Sequence, residues 1–132
     1  AVIKPVINWY SFALTSDHYN FFARSWFGKN PWEDPGAYLK RSPLSLVGNV
    51  RTPTMLMTGE VDYRTPISEA EQFYQALKLR KVDTVLVRVP DSSHDIGARP
   101  SQMIAKCAYI LKWFETHPGP AVSPASTARS ND

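Results

Sequence analysis

The sequence predicts an α/β fold in which a parallel β-sheet is flanked by helices. Residues 53–59, PTMLMTG, form a continuous apolar run of strand length, the pattern of a strand buried on both faces. A helical pattern follows directly over residues 66–80, then a second strand pattern over 83–90 and an amphipathic helical pattern over 98–117. Strand, helix, strand and helix at these lengths predict parallel pairing with right-handed crossovers.

The residues before this unit predict a further strand and an aromatic segment. Residues 1–8 look like a strand with no turn residues before it, so we expect a chain cut inside a domain. Residues 9–34 hold three Trp, two Tyr and four Phe, too many for a solvated loop. A short helix is predicted to begin at residues 34–35, an Asp cap followed by Pro, with Tyr38 and Leu39 facing inward.

The two longer helices each show one apolar face. The first predicted face comprises Ile67, Ala70, Phe73, Tyr74 and Leu77. The second comprises Met103, Ile104, Cys107, Leu111 and Phe114. We therefore expect Cys107 to be a core residue rather than a reactive thiol. Residues 118–132 lack periodicity and large apolar side chains, which predicts a disordered tail after a single folded unit over residues 1–117.

Composition argues against several classes of function. The 132 residues carry a net charge of +3 with scattered basic residues, so no nucleic-acid partner is expected. No apolar run reaches the roughly 20 residues of a membrane helix. One cysteine makes no internal disulfide, so a cytoplasmic and a periplasmic location both remain open. His94 and Asp95 form an isolated HD pair without further ligands at suitable spacing, so neither a metal nor another cofactor is expected.

Two polar residues follow the two predicted strands. Asp62 comes after the first and His94 after the second. Parallel strands end at the same edge of a sheet, so the two side chains are expected to be neighbours. An aspartate that accepts a hydrogen bond from one imidazole nitrogen leaves the other nitrogen free to take a proton from a hydroxyl. The alternatives are that Asp62 is only a helix cap and that His94 is only exposed. No G-x-S-x-G sequence supplies a nucleophilic serine.

Several longer matches indicate a family. Four stretches carry the match: PVINW, NPWEDP, RSPLSLVGNVRTPTMLMTGEVDYRTPISEAEQFYQALK and VRVPDSSHDI. The final predicted helix also contains WF. Together these residues resemble the last third of the catalytic domain of the prolyl oligopeptidase family, near its acylaminoacyl peptidases. The resemblance implies the C-terminal portion of an α/β-hydrolase fold, incomplete without an upstream segment. It also implies that Asp62 and His94 are the acid and base of a triad whose serine lies upstream of Ala1.

The resemblance implies a serine peptidase that hydrolyses short peptides, with the upstream segment as a partner and a homo-oligomer as another possibility. An esterase of the same fold and an inactive packing module are the alternatives. Arg64 is expected either to pair with Glu60 or to face the substrate crevice. The aromatic side chains expected to line a substrate pocket, or else to pack beneath a loop, are Trp9, Tyr10, Phe12, Phe21, Phe22 and Trp26.

Overall fold

A computed structural model describes residues 1–119 and contains a three-stranded parallel sheet. Its strands are β1 (Val2–Ile3), β2 (Thr54–Gly59) and β3 (Thr84–Val89), in the order β1-β2-β3. The predicted parallel α/β architecture is therefore confirmed. All six residues of β2 are buried, as expected for a central strand made of one apolar run.

The first strand is shorter than the sequence predicted. Residues 1–8 were expected to be extended, but β1 pairs with β2 only through Val2 and Ile3. Lys4 has a φ of 54°, which turns the chain, although its amide still donates to the carbonyl of Met57 at 2.9 Å. Pro5 has no amide hydrogen with which to continue the ladder. The expectation of a strand over residues 1–8 was thus wrong beyond Ile3.

Two helices cover the two faces of the sheet. Helix α4 is Ile67–Leu79 and α5 is Pro100–Thr116; three shorter helices, α1 to α3, precede them within residues 9–41. Met55 and Met57 project from β2 into the cluster that contains Ile110 and Trp113 of α5. Because side chains alternate along a strand, Leu56 points to the opposite face, against which α4 packs. Both helices begin and end close to the predicted residues.

The face of α5 that contacts the sheet differs from the prediction. Ile110 and Trp113 pack on the sheet, whereas Met103 (43%), Ile104 (70%), Leu111 (64%) and Phe114 (54%) are exposed. Cys107 is exposed as well, so its expected place in the core was wrong. The helix carries apolar side chains on two sides, and the sheet takes the side with the large indole of Trp113. An apolar stripe alone does not identify which side that is.

The segment between β1 and β2 is mostly helical. It forms α1 (Trp9–Thr15), α2 (Tyr19–Phe22) with a π-helical turn after it, α3 (Pro35–Arg41) and a 3-10 helix over residues 43–49. The Asp34 carboxylate caps α3 by accepting from the amide of Ala37 at 3.1 Å, with Pro35 at the first helical position. The predicted start of this helix is confirmed.

Within α3, only one of the two predicted inward residues is buried. Tyr38 is fully buried, stacks on Phe27 with ring centroids 3.8 Å apart and donates its hydroxyl to the carbonyl of Lys29 at 2.6 Å. Burial raises the pKa of Tyr38 above its ordinary value. Leu39 is 51% exposed, because adjacent residues point about 100° apart on a helix.

The expected tail, residues 118–132, lies almost entirely outside the described residues, and Pro118 and Gly119 belong to neither helix nor strand. Among the helices of residues 1–119, none has the length and apolarity needed to cross a membrane.

Burial in α4 predicts a contrast between two leucines. Leu77 is fully buried and Leu79 is 76% exposed. Leu77→Ala should lower the free energy of unfolding by about 2–5 kcal/mol because it leaves a cavity. Leu79→Ala should change it by about 0.5 kcal/mol or less. Denaturant titration measures both, and equal losses would contradict this packing.

A second prediction concerns the end of α5, where His117 joins the start of β3. Nε2 of His117 lies 2.9 Å from the Asp83 carboxylate, and its ring stacks on Trp113. The hydrogen bond to Asp83 raises the pKa of His117 above 6.5, so this contact stabilises the fold fully below pH 6.5 and is lost as pH rises through the folded pKa. Asp83→Asn should lower that pKa, measured by NMR titration of the ring protons; an unchanged titration would contradict the pairing.

Candidate active site

The turn that follows β2 buries one carboxylate. Residues 59–66 leave the strand at Gly59, and the side chain of Asp62 is fully buried beneath the turn. Its Oδ1 accepts a hydrogen bond from the amide of Thr65 at 2.8 Å. This contact fixes the carboxylate within its own turn, as short acidic side chains commonly do.

The loop that follows β3 is attached to the turn that follows β2. The amide of Glu60 donates to the carbonyl of Val89 at 3.0 Å, and the amide of Val61 donates to the carbonyl of Ser92 at 3.1 Å. The pairing of the two strands thus continues beyond their last paired residues, Gly59 and Val89. His94, two residues after Ser92, is therefore held close to Asp62.

The imidazole of His94 and the carboxylate of Asp62 form a direct pair. Nδ1 of His94 lies 3.1 Å from Oδ1 and 3.0 Å from Oδ2 of Asp62. The His94 side chain is 44% exposed, so the pair has one buried and one accessible partner. Across residues 1–119, no side chain hydrogen-bonds to Nε2 of His94. The structure thus brings together the two residues that the sequence placed at one sheet edge.

The close approach of the two loops depends on the absence of a side chain at Gly59. A Cβ built on this glycine would lie 2.1 Å from the carbonyl oxygen of Ser92 and 2.7 Å from that of Ser93. Both neighbours are backbone atoms, so neither moves without displacing the loop that carries His94. From the sequence, Gly59 was expected only to be the last residue of an apolar strand, and its role in the site was missed.

An aromatic cluster forms on α1, α2 and the π-helical turn Ala23–Phe27 that follows α2. The ring of Trp9 lies at its centre, with centroids of neighbouring rings 5.0–5.9 Å away, and we define this aromatic cluster as Trp9, Phe12, Phe22, Trp26 and Phe27. Phe12 is only 2% exposed, so it supports the other rings and offers no surface of its own. Trp26 is 53% exposed and forms the open side.

Two of the predicted aromatic residues lie at the margin of this cluster. Phe21 is 47% exposed and contacts Phe22 and Trp26 at its edge. Tyr10 instead packs edge-on against Tyr38, with ring centroids 6.3 Å apart. Adjacent residues of a helix face different sides, so Trp9 and Tyr10 do not share one wall.

Arg64 has a partner that the sequence did not suggest. Its Nε donates to the Asp17 carboxylate at 2.6 Å, and this bond raises the pKa of Arg64 above its ordinary value. Of the two alternatives for Arg64, the pairing with Glu60 was wrong, because Glu60 binds Arg88 instead, at 3.0 Å. Asp17 is distant in sequence, and only the folded chain places the turn after α1 beside Arg64.

The turn after α1 is also attached to the Asp62 turn through the backbone. The Asp17 amide donates to the carbonyl of Tyr63 at 2.8 Å, and the Ser16 hydroxyl donates to the carbonyl of Arg64 at 2.8 Å. The segment that bears the aromatic cluster is therefore anchored directly to the turn that carries Asp62. No sequence motif marked Ser16 or Asp17 for this role.

Metal-binding groups do not cluster in this structure. Within the described part of the chain, no three His, Cys, Asp or Glu side chains lie together in a way that would hold an ion. His18 contacts the rings of Phe21 and Phe22, and His117 pairs with Asp83, so neither joins His94.

Gly59→Ala tests the close approach of the two loops. The added methyl group should lower the free energy of unfolding by about 1–3 kcal/mol and shift the NMR signals of the His94 ring, since the Ser92 carbonyl must move. Gly36→Ala is the matched control, because its Cβ would meet nothing nearer than an Asp34 oxygen at 3.8 Å. Unperturbed His94 signals in the Gly59 variant would contradict the predicted strain.

Comparisons with known proteins identify relatives over almost the whole chain. The sequence profile of the prolyl oligopeptidase family matches residues 1–120. A Bacillus subtilis protein described as uncharacterized peptidase YuxL is 39% identical over 116 residues, covering 86% of this chain and 18% of that protein. The acylamino-acid-releasing enzyme of Rattus norvegicus is 33% identical over 90 residues, covering 68% of this chain and 12% of the enzyme.

Solved structures show the same fold. Pyrococcus horikoshii acylaminoacyl peptidase superposes with a TM-score of 0.82 at 23% identity, covering 92% of this chain and 21% of that one. An acylaminoacyl peptidase in complex with Z-Gly-Gly-Phe-chloromethyl ketone gives a TM-score of 0.80 at 24% identity, covering 92% and 20%. The chain thus spans about a fifth or less of the length of the proteins it matches. These neighbours have the α/β-hydrolase fold, of which the three strands here are a part. Because the family profile matches residues 1–120, the chain belongs to the prolyl oligopeptidase family.

Proposed function

We propose that this chain supplies the acid and the base of a serine peptidase that hydrolyses short peptides. The observation that carries the proposal is the 3.0 Å contact between Nδ1 of His94 and the buried carboxylate of Asp62. In this role Asp62 orients the ring and stabilises the imidazolium form, while His94 acts as the general base. Membership of the prolyl oligopeptidase family supports the assignment.

The exposed side of His94 fits the chemistry of acyl transfer. Nε2 takes the proton of a serine hydroxyl as the serine oxygen attacks the carbonyl carbon of the scissile bond. The imidazolium then returns the proton to the leaving amine, and an acyl-enzyme ester remains. Water attacks this ester by the same route, with Nε2 as base, and releases the acid. Asp62 keeps the ring oriented through both halves of the reaction, because the Thr65 amide and the His94 ring hold its carboxylate in place.

The nucleophile in this proposal comes from a part of the protein outside the 132 residues. No G-x-S-x-G sequence occurs in the chain. In the α/β-hydrolase order the serine precedes the acid and the base, which agrees with Asp62 preceding His94 here. The upstream segment that bears the serine is accordingly the proposed partner of this chain.

The proposed substrates are short peptides with an apolar side chain before the scissile bond. The aromatic cluster exposes the ring of Trp26, and its segment is attached to the Asp62 turn through Asp17. Apolar aromatic surfaces with few polar groups commonly bind apolar side chains. One neighbour of the same fold was solved with a peptidyl chloromethyl ketone that ends in Phe, which supports peptides as the class of ligand.

Substitution of the pair tests this function in the intact protein. His94→Ala should abolish peptide hydrolysis, and Asp62→Asn should reduce kcat on the order of 10⁴-fold because the ring loses its orienting acceptor. Steady-state kinetics with a chromogenic peptide measure both. The chain offers a matched control in its second His-Asp pair, His117 and Asp83, which lies at the amino end of β3, whereas His94 and Asp62 follow the carboxyl ends of the strands. His117→Ala and Asp83→Asn should leave kcat within about twofold.

Two further readouts separate the proposal from its alternatives. A fluorophosphonate probe should label the intact protein on a serine outside this chain, and labelling of a serine within residues 1–132 would overturn the proposed division of the triad. Turnover of esters without turnover of the matching peptides would identify an esterase instead. Normal rates in the His94 variant would remove the pair from the mechanism and leave this segment a packing module.

A further inference from the structure

A second buried carboxylate, that of Glu69, lies in the first turn of α4. Glu69 is fully buried, and its side chain accepts four hydrogen bonds. Oε2 accepts from the backbone amides of Ile7 at 3.0 Å and Asn8 at 2.8 Å. Oε1 accepts from the hydroxyl of Ser11 at 2.6 Å and the amide group of Gln72 at 3.3 Å.

These contacts suit an ionised carboxylate. A buried charge is tolerated when donors saturate it, and no basic side chain is needed if backbone amides converge on it. The first turn of a helix adds a favourable dipole. No cation pairs with Glu69 within the described residues, so the whole balance comes from these four neutral donors. Such a group specifies one arrangement of the backbone around it.

The donors show which parts of the chain Glu69 joins. Asn8 is the N-cap of α1, its side-chain oxygen accepting from the amide of Tyr10 at 3.1 Å, and Ser11 lies in the first turn. Glu69 therefore fixes the beginning of α1 to the beginning of α4. The end of α1 is fixed by Ser16 and Asp17 to the turn of Asp62.

Helix α1 is thus anchored at both ends to one short stretch, residues 62–72. That stretch carries Asp62 at its start and Glu69 and Gln72 at its end. Trp9 and Phe12 of the aromatic cluster lie on α1 between the two anchors. These two attachments, together with a hydrogen bond from the Trp9 amide to the Ser42 hydroxyl at 2.8 Å, hold α1 and its two cluster residues relative to the turn that carries Asp62.

We infer that Glu69 is a positioning residue for substrate selection: through the backbone at Ile7 and Asn8 it holds the aromatic cluster where it receives a bulky apolar side chain. This inference rests on the proposed peptidase function. Within residues 1–119, Glu69 forms no hydrogen bond with the proposed acid or the proposed base, so it acts on the choice of substrate rather than on proton transfer. Its removal should change the preference between side chains and leave the reactivity of the nucleophile intact.

Glu69→Gln in the intact protein tests this role. The amide keeps the shape of the side chain but turns a donor toward groups that are themselves donors. The ratio of kcat/KM for a peptide with Phe before the scissile bond to that for a peptide with Gly there should fall about tenfold or more, within the range that pocket contacts provide. The rate of labelling by a small alkyl fluorophosphonate, which needs no such pocket, should change by less than about twofold.

One further variant serves as a control and another as a milder test. Glu71→Gln alters a carboxylate on the same helix whose side chain is 45% exposed and pairs with Arg88 at 3.1 Å, and it should leave the Phe to Gly ratio unchanged. Ser11→Ala removes a single donor to Glu69, and it should produce a smaller fall in the ratio. If Glu69→Gln does not fold, the Ser11 variant decides the question, and an unchanged ratio there would overturn the inference.

The other possible results distinguish failure of this inference from failure of the proposed function. Equal losses for both peptides and for labelling in Glu69→Gln would show a general role in stability and would overturn the inference while the proposed function stands. An unchanged ratio in a folded Glu69 variant would do the same. Absence of labelling and of hydrolysis in the unsubstituted protein would refute the proposed function, and the inference would fall with it.

Discussion

The candidate site depends on how closely the loop after β3 approaches the end of β2. Gly59 and Val89 are the last paired residues of these strands, and hydrogen bonds from Glu60 and Val61 extend the pairing into the loops. The Ser92 carbonyl occupies the space where any side chain at position 59 would begin. This contact between backbones determines the distance between Asp62 and His94, so the site is built mainly by main-chain geometry.

Two buried carboxylates near the carboxyl ends of the strands have different hydrogen-bond partners. Asp62 faces the imidazole and one amide of its own turn, whereas Glu69 receives amides and a hydroxyl from the N-terminal segment. Both side chains are buried and both accept hydrogen bonds from defined donors, which favours one arrangement of the chain over its alternatives. In the proposed enzyme, the first carboxylate orients the base and the second locates the aromatic surface that meets the substrate.

Sequence patterns predicted the parts of the fold that rest on local chemistry. The apolar run of β2, the amphipathic α4 and the capped start of α3 follow from periodicity and capping, and the sheet edge shared by Asp62 and His94 follows from topology. Contacts between distant segments were not predictable in this way. The side of α5 that meets the sheet depends on competing apolar faces, and the partners of Arg64 and Glu69 come from residues about 47 and 60 positions away.

The state of the His94 ring tests the central claim most directly. If Asp62 orients His94 as a general base, the neutral ring carries its proton on Nδ1, facing the carboxylate, and keeps Nε2 bare. A long-range proton-nitrogen NMR correlation of the intact protein, labelled with ¹⁵N-histidine, distinguishes the two tautomers. A protonated Nδ1 with a bare Nε2 is the expected result. A neutral ring with its proton on Nε2 would have no lone pair directed outward to accept a serine proton, and it would contradict the proposed role of the pair.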